Sequence, residues 1–194
     1  MIKKIRNFKF IIRNCQAGMT YVELIVVLSI FAVMTSIVLF NYKDFQARVD
    51  IKVLANDTAL KIVEAQKSSL AGKWNSHALS ESWKPSYGVY FNLSENKRII
   101  YFANLEGNSY DSASDYILDQ SDITKGNFVS KLEVVGCPSP EVGSLSIAFR
   151  RPDSSALFSP TCANLSYAQI TVSSPESVKG TIKIYPSGRI QIDK

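Results

Sequence analysis

Residues Gly18 to Phe40 read G-M-T-Y-V-E-L-I-V-V-L-S-I-F-A-V-M-T-S-I-V-L-F, and the rest of the chain is read outward from them. The stretch holds one acidic residue, Glu23, followed by seventeen uncharged residues from Leu24 to Phe40. As a helix rising about 1.5 Å per residue, Met19 to Phe40 spans roughly 33 Å, enough to cross a bilayer core. Glu23 is the anomaly. A carboxylate inside an apolar run costs about 2.5–3.5 kcal/mol on insertion scales, so it implies a function and a partner.

A chain of 194 residues, 46% of them apolar, can hold one modest core beside a membrane helix. The formal charge of +5 is concentrated at one end. Lys3, Lys4, Arg6, Lys9 and Arg13 precede the apolar run, and the first eighteen residues contain no acid. Removing these five from the twenty-two Lys and Arg leaves seventeen, matched by seventeen Asp and Glu. The body is neutral, so the basic pI gives no case for nucleic acid. Arg150-Arg151 is the one local basic pair, and a solvated turn accounts for it. A positive flank before an apolar helix stays in the cytoplasm, which predicts a single-pass inner-membrane chain with an extracytoplasmic C-terminal body.

Cys15 lies in the leader, leaving Cys137 and Cys162 in the body. In an oxidising compartment this pair predicts a disulfide closing a loop of about 26 residues, worth roughly 3–4 kcal/mol by chain entropy. Two unpaired buried thiols are the alternative. The loop-like contexts C-P-S-P and P-T-C favour the bridge.

The leader is ordered differently from a secretory signal, whose small-residue cleavage site follows the apolar run. Here Ala17-Gly18 precedes it, so cleavage after Gly18 removes the charges, keeps the helix and starts a mature chain at Met19. G-M-T-Y-V-E followed by L-I-V-V-L-S-I resembles the N-terminal signature of type IV prepilins, shared by pilins and type II secretion pseudopilins. The resemblance implies cleavage after Gly18 by a prepilin peptidase and methylation of the new Met19 amine. It also implies pairing of Glu23 with the N-terminal amine of a neighbouring subunit. The implied partners are other pilin or pseudopilin subunits, the peptidase and inner-membrane lipid, with the filament at the cell surface or in the periplasm. Met19 stands where the family usually has Phe, and no proline falls near the end of the apolar run. The closing I-Y-P-S-G-R-I-Q-I is similar to the final hairpin of H-type minor pseudopilins.

Physical chemistry gives the same pairing a reason. Leader removal creates an α-amino group about one helical turn from a carboxylate in low dielectric, and an adjacent helix's amine offsets the cost of that carboxylate. The alternative is a capping box, with Thr20 as N-cap and Glu23 at N3; both can hold at different stages.

The remaining chain divides into an amphipathic helical half (41–72), a polar connector (73–86) and an antiparallel β domain (87–194). Ile51, Leu54, Ala55, Ala59, Ile62 and Ala65 share one helical face whose small residues let a sheet approach closely. Val49, Val53 and Leu60 lie off that stripe, which argues against a coiled coil, and Gly72 is a stop signal. Trp74 and Trp83 are expected to pack the helix end onto the sheet; His77 has no nucleophile-like motif around it. Strands are expected in Y-G-V-Y-F-N, R-I-I-Y-F-A, N-F-V-S-K-L-E-V-V, L-S-I-A-F-R, S-Y-A-Q-I-T-V-S, T-I-K-I-Y and R-I-Q-I, the first two joined at S-E-N-K. The fold class is therefore α+β, a long N-terminal helix packed on an antiparallel β domain, which the family resemblance makes pilin-like.

Oxygen-bearing side chains at Asn104, Glu106, Asn108, Ser112 and Asp115 fall at positions 1, 3, 5, 9 and 12 of a twelve-residue loop, the spacing of a calcium loop. The loop lacks Gly at position 6 and Glu at 12, and an ordinary turn is the alternative. No other cofactor is indicated. The sequence holds no His/Cys metal cluster, Gly-rich phosphate loop or nucleophile triad, so an enzyme is not expected. The leading expectation is a polymerising structural subunit of a pilus or secretion pseudopilus. The alternative is a signal-anchored extracytoplasmic binding domain that never polymerises.

Overall fold

The computed structural model describes residues 19–78, 83–105 and 109–193. The chain divides into two compact units, Met1–Tyr42 and Lys43–Lys194, and one helix, α1 (Tyr21–Leu70), runs from the first into the second. Among the described residues nine strands follow: β1 (Ser86–Asn92), β2 (Arg98–Ala103), β3 (Tyr116–Asp122), β4 (Phe128–Val135), β5 (Ser144–Arg150), β6 (Ala156–Ser159), β7 (Tyr167–Ser173), β8 (Lys179–Ile184) and β9 (Ile190–Asp193). The α+β expectation holds.

The β region is two sheets rather than one continuous set of strands. The first has the order β3-β2-β1-β5-β6 and the second β4-β7-β8-β9. Every pairing is antiparallel. The β1–β2 hairpin forms as expected, with a 3-10 turn at Leu93–Glu95 in place of a simple S-E-N-K turn. Asn92 caps it, its side-chain oxygen accepting the Ser94 N–H at 2.9 Å. Two strands carry no sequence signal. β3 (Y-I-L-D-Q-S-D) and β6 (A-L-F-S) are the two edges of the first sheet, where one flank has no strand partner and alternation is not demanded.

Within the second unit, α1 buries one stripe. Ala47, Ile51, Ala55, Thr58, Ala59, Ile62, Ala65 and Ser69 are buried, whereas Val53 and Leu60 stay 50% and 66% exposed. Five of the six predicted stripe residues are therefore buried, and Leu54 is partly so. Thr58 tolerates burial because its hydroxyl donates back to the Leu54 carbonyl at 2.8 Å. The stripe joins a contiguous core with Tyr87, Val89, Phe91, Leu145, Ile147 and Phe149 of the first sheet and Leu132, Ile170, Ile182 and Ile184 of the second. Each such aliphatic or aromatic side chain contributes about 1.5–3 kcal/mol on full burial. Burial, and then the neighbouring Tyr101 phenol, push Tyr87 up to about 12. Its hydroxyl donates to the Lys73 carbonyl at 2.7 Å.

Close approach of helix and strand depends on Gly180 in β8. A Cβ there would lie 2.9 Å from Ile51 Cγ2 and 3.6 Å from Ala55 Cβ. The helix ends where Gly72 adopts φ +64°, with the Gly72 and Lys73 N–H groups returning to the Ser69 and Ser68 carbonyls. Polar ties fix the last turns: Gln66 Nε2 donates to the Ser154 carbonyl at 3.1 Å, and Ser69 Oγ to the Pro85 carbonyl at 3.0 Å. Ion pairs flank the stripe, Lys125 to Asp50 at 2.6 Å and Lys61 to Asp119 at 2.7 Å. The disulfide Cys137–Cys162, Cα atoms 5.7 Å apart, ties the turn after β4 to the β6–β7 connection, and so links the two sheets.

Two outcomes follow for chemical unfolding of the full chain. Gly180→Val forces methyl groups into Ile51 and should cost about 1–3 kcal/mol. Adding Ile51→Ala makes room, so the double variant should be less destabilised than the sum of the two singles; strict additivity would contradict the close approach. The Lys125 ammonium, and then the Gln46 amide, hold the Asp50 carboxyl below its ordinary value of 3.8. A depressed carboxyl stabilises above its unfolded pKa and loses that contribution as pH falls through its folded pKa. Between about pH 5 and about pH 2, Asp50→Asn should therefore show a flatter fall in melting temperature than the parent chain, and an unchanged slope would contradict the pairing.

Candidate functional site

In the first unit, residues 19–39 are exposed throughout. Val22, Leu24, Ile25, Phe31, Val33, Met34, Ile37, Val38 and Leu39 are all exposed, Phe31 at 68% and Met34 at 65%. This part of α1 is long and apolar enough to cross a membrane, and none of that apolar window is buried. Three of its hydroxyls are satisfied within the helix. Ser29 Oγ donates to the Val26 carbonyl at 2.8 Å, Thr35 Oγ1 to Phe31 at 2.8 Å and Ser36 Oγ to Ala32 at 2.9 Å. A segment facing hydrocarbon must satisfy its polar groups internally, and these three hydroxyls do. The sequence displayed Ser29, Thr35 and Ser36 but not their partners.

At the head of the helix, the Leu24 N–H donates to the Thr20 carbonyl at 3.1 Å and the Glu23 N–H to Thr20 Oγ1 at 3.3 Å. Thr20 is thus the N-cap, and the expected capping geometry is present on its side. Glu23 sits in the first turn, where a carboxylate complements the positive helix end, and its residue is exposed. Met19 is 60% exposed immediately before the cap. Gly18 lies outside the described residues.

In the loop after β2 the described carboxylates accept the loop's own backbone N–H groups. Asp115 accepts the Leu105 N–H at 2.9 Å and the Asp111 N–H at 2.8 Å, one on each carboxylate oxygen. Asp111 in turn accepts the Ala113 N–H at 2.9 Å. These carboxylates fold the loop on itself. Asn104 is buried, its amide donating to the Ser109 carbonyl at 3.0 Å, while its Oδ1 has no partner among the described residues. Ser112 is exposed, and Glu106 and Asn108 lie outside the described residues. Among the described residues no cluster of three or more His, Cys, Asp or Glu side chains could hold a metal ion.

The loop also delivers an aromatic ring that sequence reading passed over. Tyr110 packs 5.0 Å from Phe102 and 4.6 Å from Tyr90, between ring centroids, and covers the outer face of the first sheet. Burial, and then the Asp115 carboxylate, push its phenol above the ordinary value. Its backbone N–H donates to Ser146 Oγ at 3.2 Å. The only advance signal was a tyrosine inside an otherwise polar loop.

The connector's tryptophans divide. Trp83 packs against the core and its indole N–H donates to the Asn104 carbonyl at 2.9 Å, as expected of a packing residue. Trp74 is 52% exposed and meets Trp83 edge to face at 5.8 Å, so it does not seat the helix end. His77 stacks on Tyr116 with centroids 3.8 Å apart, beside Asn75. Comparison of the chain with protein-family models, with curated proteins and with solved structures finds no match.

Proposed function

We propose that this chain is a pilin-like structural subunit of a type IV pilus or type II secretion pseudopilus, cleaved after Gly18 and assembled through its N-terminal helix. The observation that carries the reading is one helix with two unlike faces to satisfy. Residues 47–69 of α1 bury a stripe against the β body, while Val22 to Leu39 bury nothing and keep their hydroxyls internally bonded. An apolar surface of that extent needs lipid, or other apolar helices, or each in turn.

In this reading the membrane holds the subunit first, with the basic leader on the cytoplasmic side. Cleavage then exchanges a charged leader for a single α-amino group at Met19. On release from lipid, the apolar segment transfers to a bundle of equivalent helices. Glu23 supplies the one buried anion of each helix, and the amine of a neighbour supplies its counter-charge. Because an unpaired carboxylate in low dielectric is costly, only axial registers that place amine beside carboxylate are tolerated. The pair thus selects register more than it adds affinity.

Glu23→Val tests this directly, since it removes the charge and keeps an apolar side chain. Membrane insertion and leader removal should be unchanged or slightly improved, while recovery of the chain in sheared filaments or cross-linked multimers should fall at least tenfold. Normal assembly of Glu23→Val would contradict the register role. Assembly lost together with insertion would point instead to a simple folding defect.

A further inference from the structure

The outer face of the first sheet carries a second feature, independent of how the helix is used. Successive side chains of a strand alternate between faces, so Gly88, Tyr90 and Asn92 of β1 point away from the core that receives Tyr87, Val89 and Phe91. Their partners on β5 are Ala148, Ser146 and Ser144, and Ser146 pairs onward with Ser159 of β6. Tyr90, Ser146 and Ser159 therefore form one cross-strand row, with Asn92 and Ser144 forming the next.

Above this floor lies a cleft of about 610 Å³, walled on one side by Tyr110 against Tyr90. Among the described residues its lining contains no Lys, Arg, Asp, Glu or His, in a chain where charged residues make up 20%. Serine is not a residue that strands favour, yet it occupies three adjoining outward positions of two neighbouring strands. Ser146 is only 3% exposed at the cleft floor, its hydroxyl already oriented by the Tyr110 N–H. Places where local preference is overridden on a rigid element are where a site is to be sought.

We infer that this cleft binds a neutral saccharide. The lining excludes other ligand classes by its chemistry. With no cation among its described lining residues it has no counter-charge for phosphate, sulfate or carboxylate groups. With hydroxyl groups across its floor it is poorly matched to a purely apolar ligand. Serine hydroxyls and the Asn92 amide each both donate and accept, which suits a ligand that presents hydroxyls of both kinds. Tyr90 and Tyr110 add apolar ring surface with a polar tip, against which the C–H face of a pyranose can lie. Discrimination should be by hydrogen bonding, since a polar floor left unpaired by a deoxy sugar is penalised.

The test uses the full chain in lipid nanodiscs, which avoids sugar-headed detergents. Saturation-transfer NMR is run with three uncharged probes, maltotriose, cellotriose and chitotriose. The inference expects saturation transfer to at least one of them and a Kd at least tenfold weaker in each of two variants, Tyr90→Ala and Ser144→Glu. Both positions are partly exposed, and the melting temperature of each variant is measured alongside. A third variant, Ser159→Asp, replaces either one that melts early. Absence of transfer to all three probes overturns the inference, as does transfer that all well-folded variants retain at parental strength.

Discussion

Contact between the alanine–isoleucine stripe of α1 and Gly180 is the constraint on which the second unit depends. Small side chains at 47, 55, 59 and 65 give the helix a flat face, and the missing Cβ of Gly180 lets Ile51 settle onto β8. That contact sets which residues of both sheets meet the helix and hence which face of the first sheet is left over. The core receives Tyr87, Val89 and Phe91; the leftover face receives Gly88, Tyr90 and Asn92. One packing decision therefore yields both the body that carries the helix and the surface on which a ligand can sit.

The same helix carries two compositions with opposite consequences. From Lys43 onward it alternates apolar and charged residues and its exposed flank is held by Lys61–Asp119 and Lys125–Asp50. From Leu24 to Leu39 it offers only apolar side chains and internally bonded hydroxyls. The combination of an apolar helix, a carboxylate in its first turn and a small-residue site immediately before it fits a helix that changes its surroundings. That fit rests on the residues and the proposed processing together.

Much of this was legible in the sequence because it rests on short-range periodicity. The buried stripe, the exposed Val53 and Leu60, the stop at Gly72 and the Cys137–Cys162 pair all follow from spacing or local composition. The two-sheet arrangement was not legible, since pairings such as β1 with β5 join residues distant in the chain. β3 was missed because an edge strand need not alternate, and β6 because four residues are too few to show a period. The loop from Asn104 to Asp115 illustrates a different limit. Asp115 accepts the Leu105 and Asp111 N–H groups, partners that residue spacing does not display. The cleft could not be foreseen either, because Tyr90, Ser146, Ser159 and Tyr110 become neighbours only across strands and loop.

The central claim is that the leader is removed at Gly18 and the apolar helix is kept. Its most direct measurement is the intact mass of the chain purified from membranes of cells that express a prepilin peptidase. The account predicts a mature chain beginning at Met19, heavier by one methyl group where the amine is modified. A chain that retains Met1, or one cleaved beyond Phe40, would contradict it.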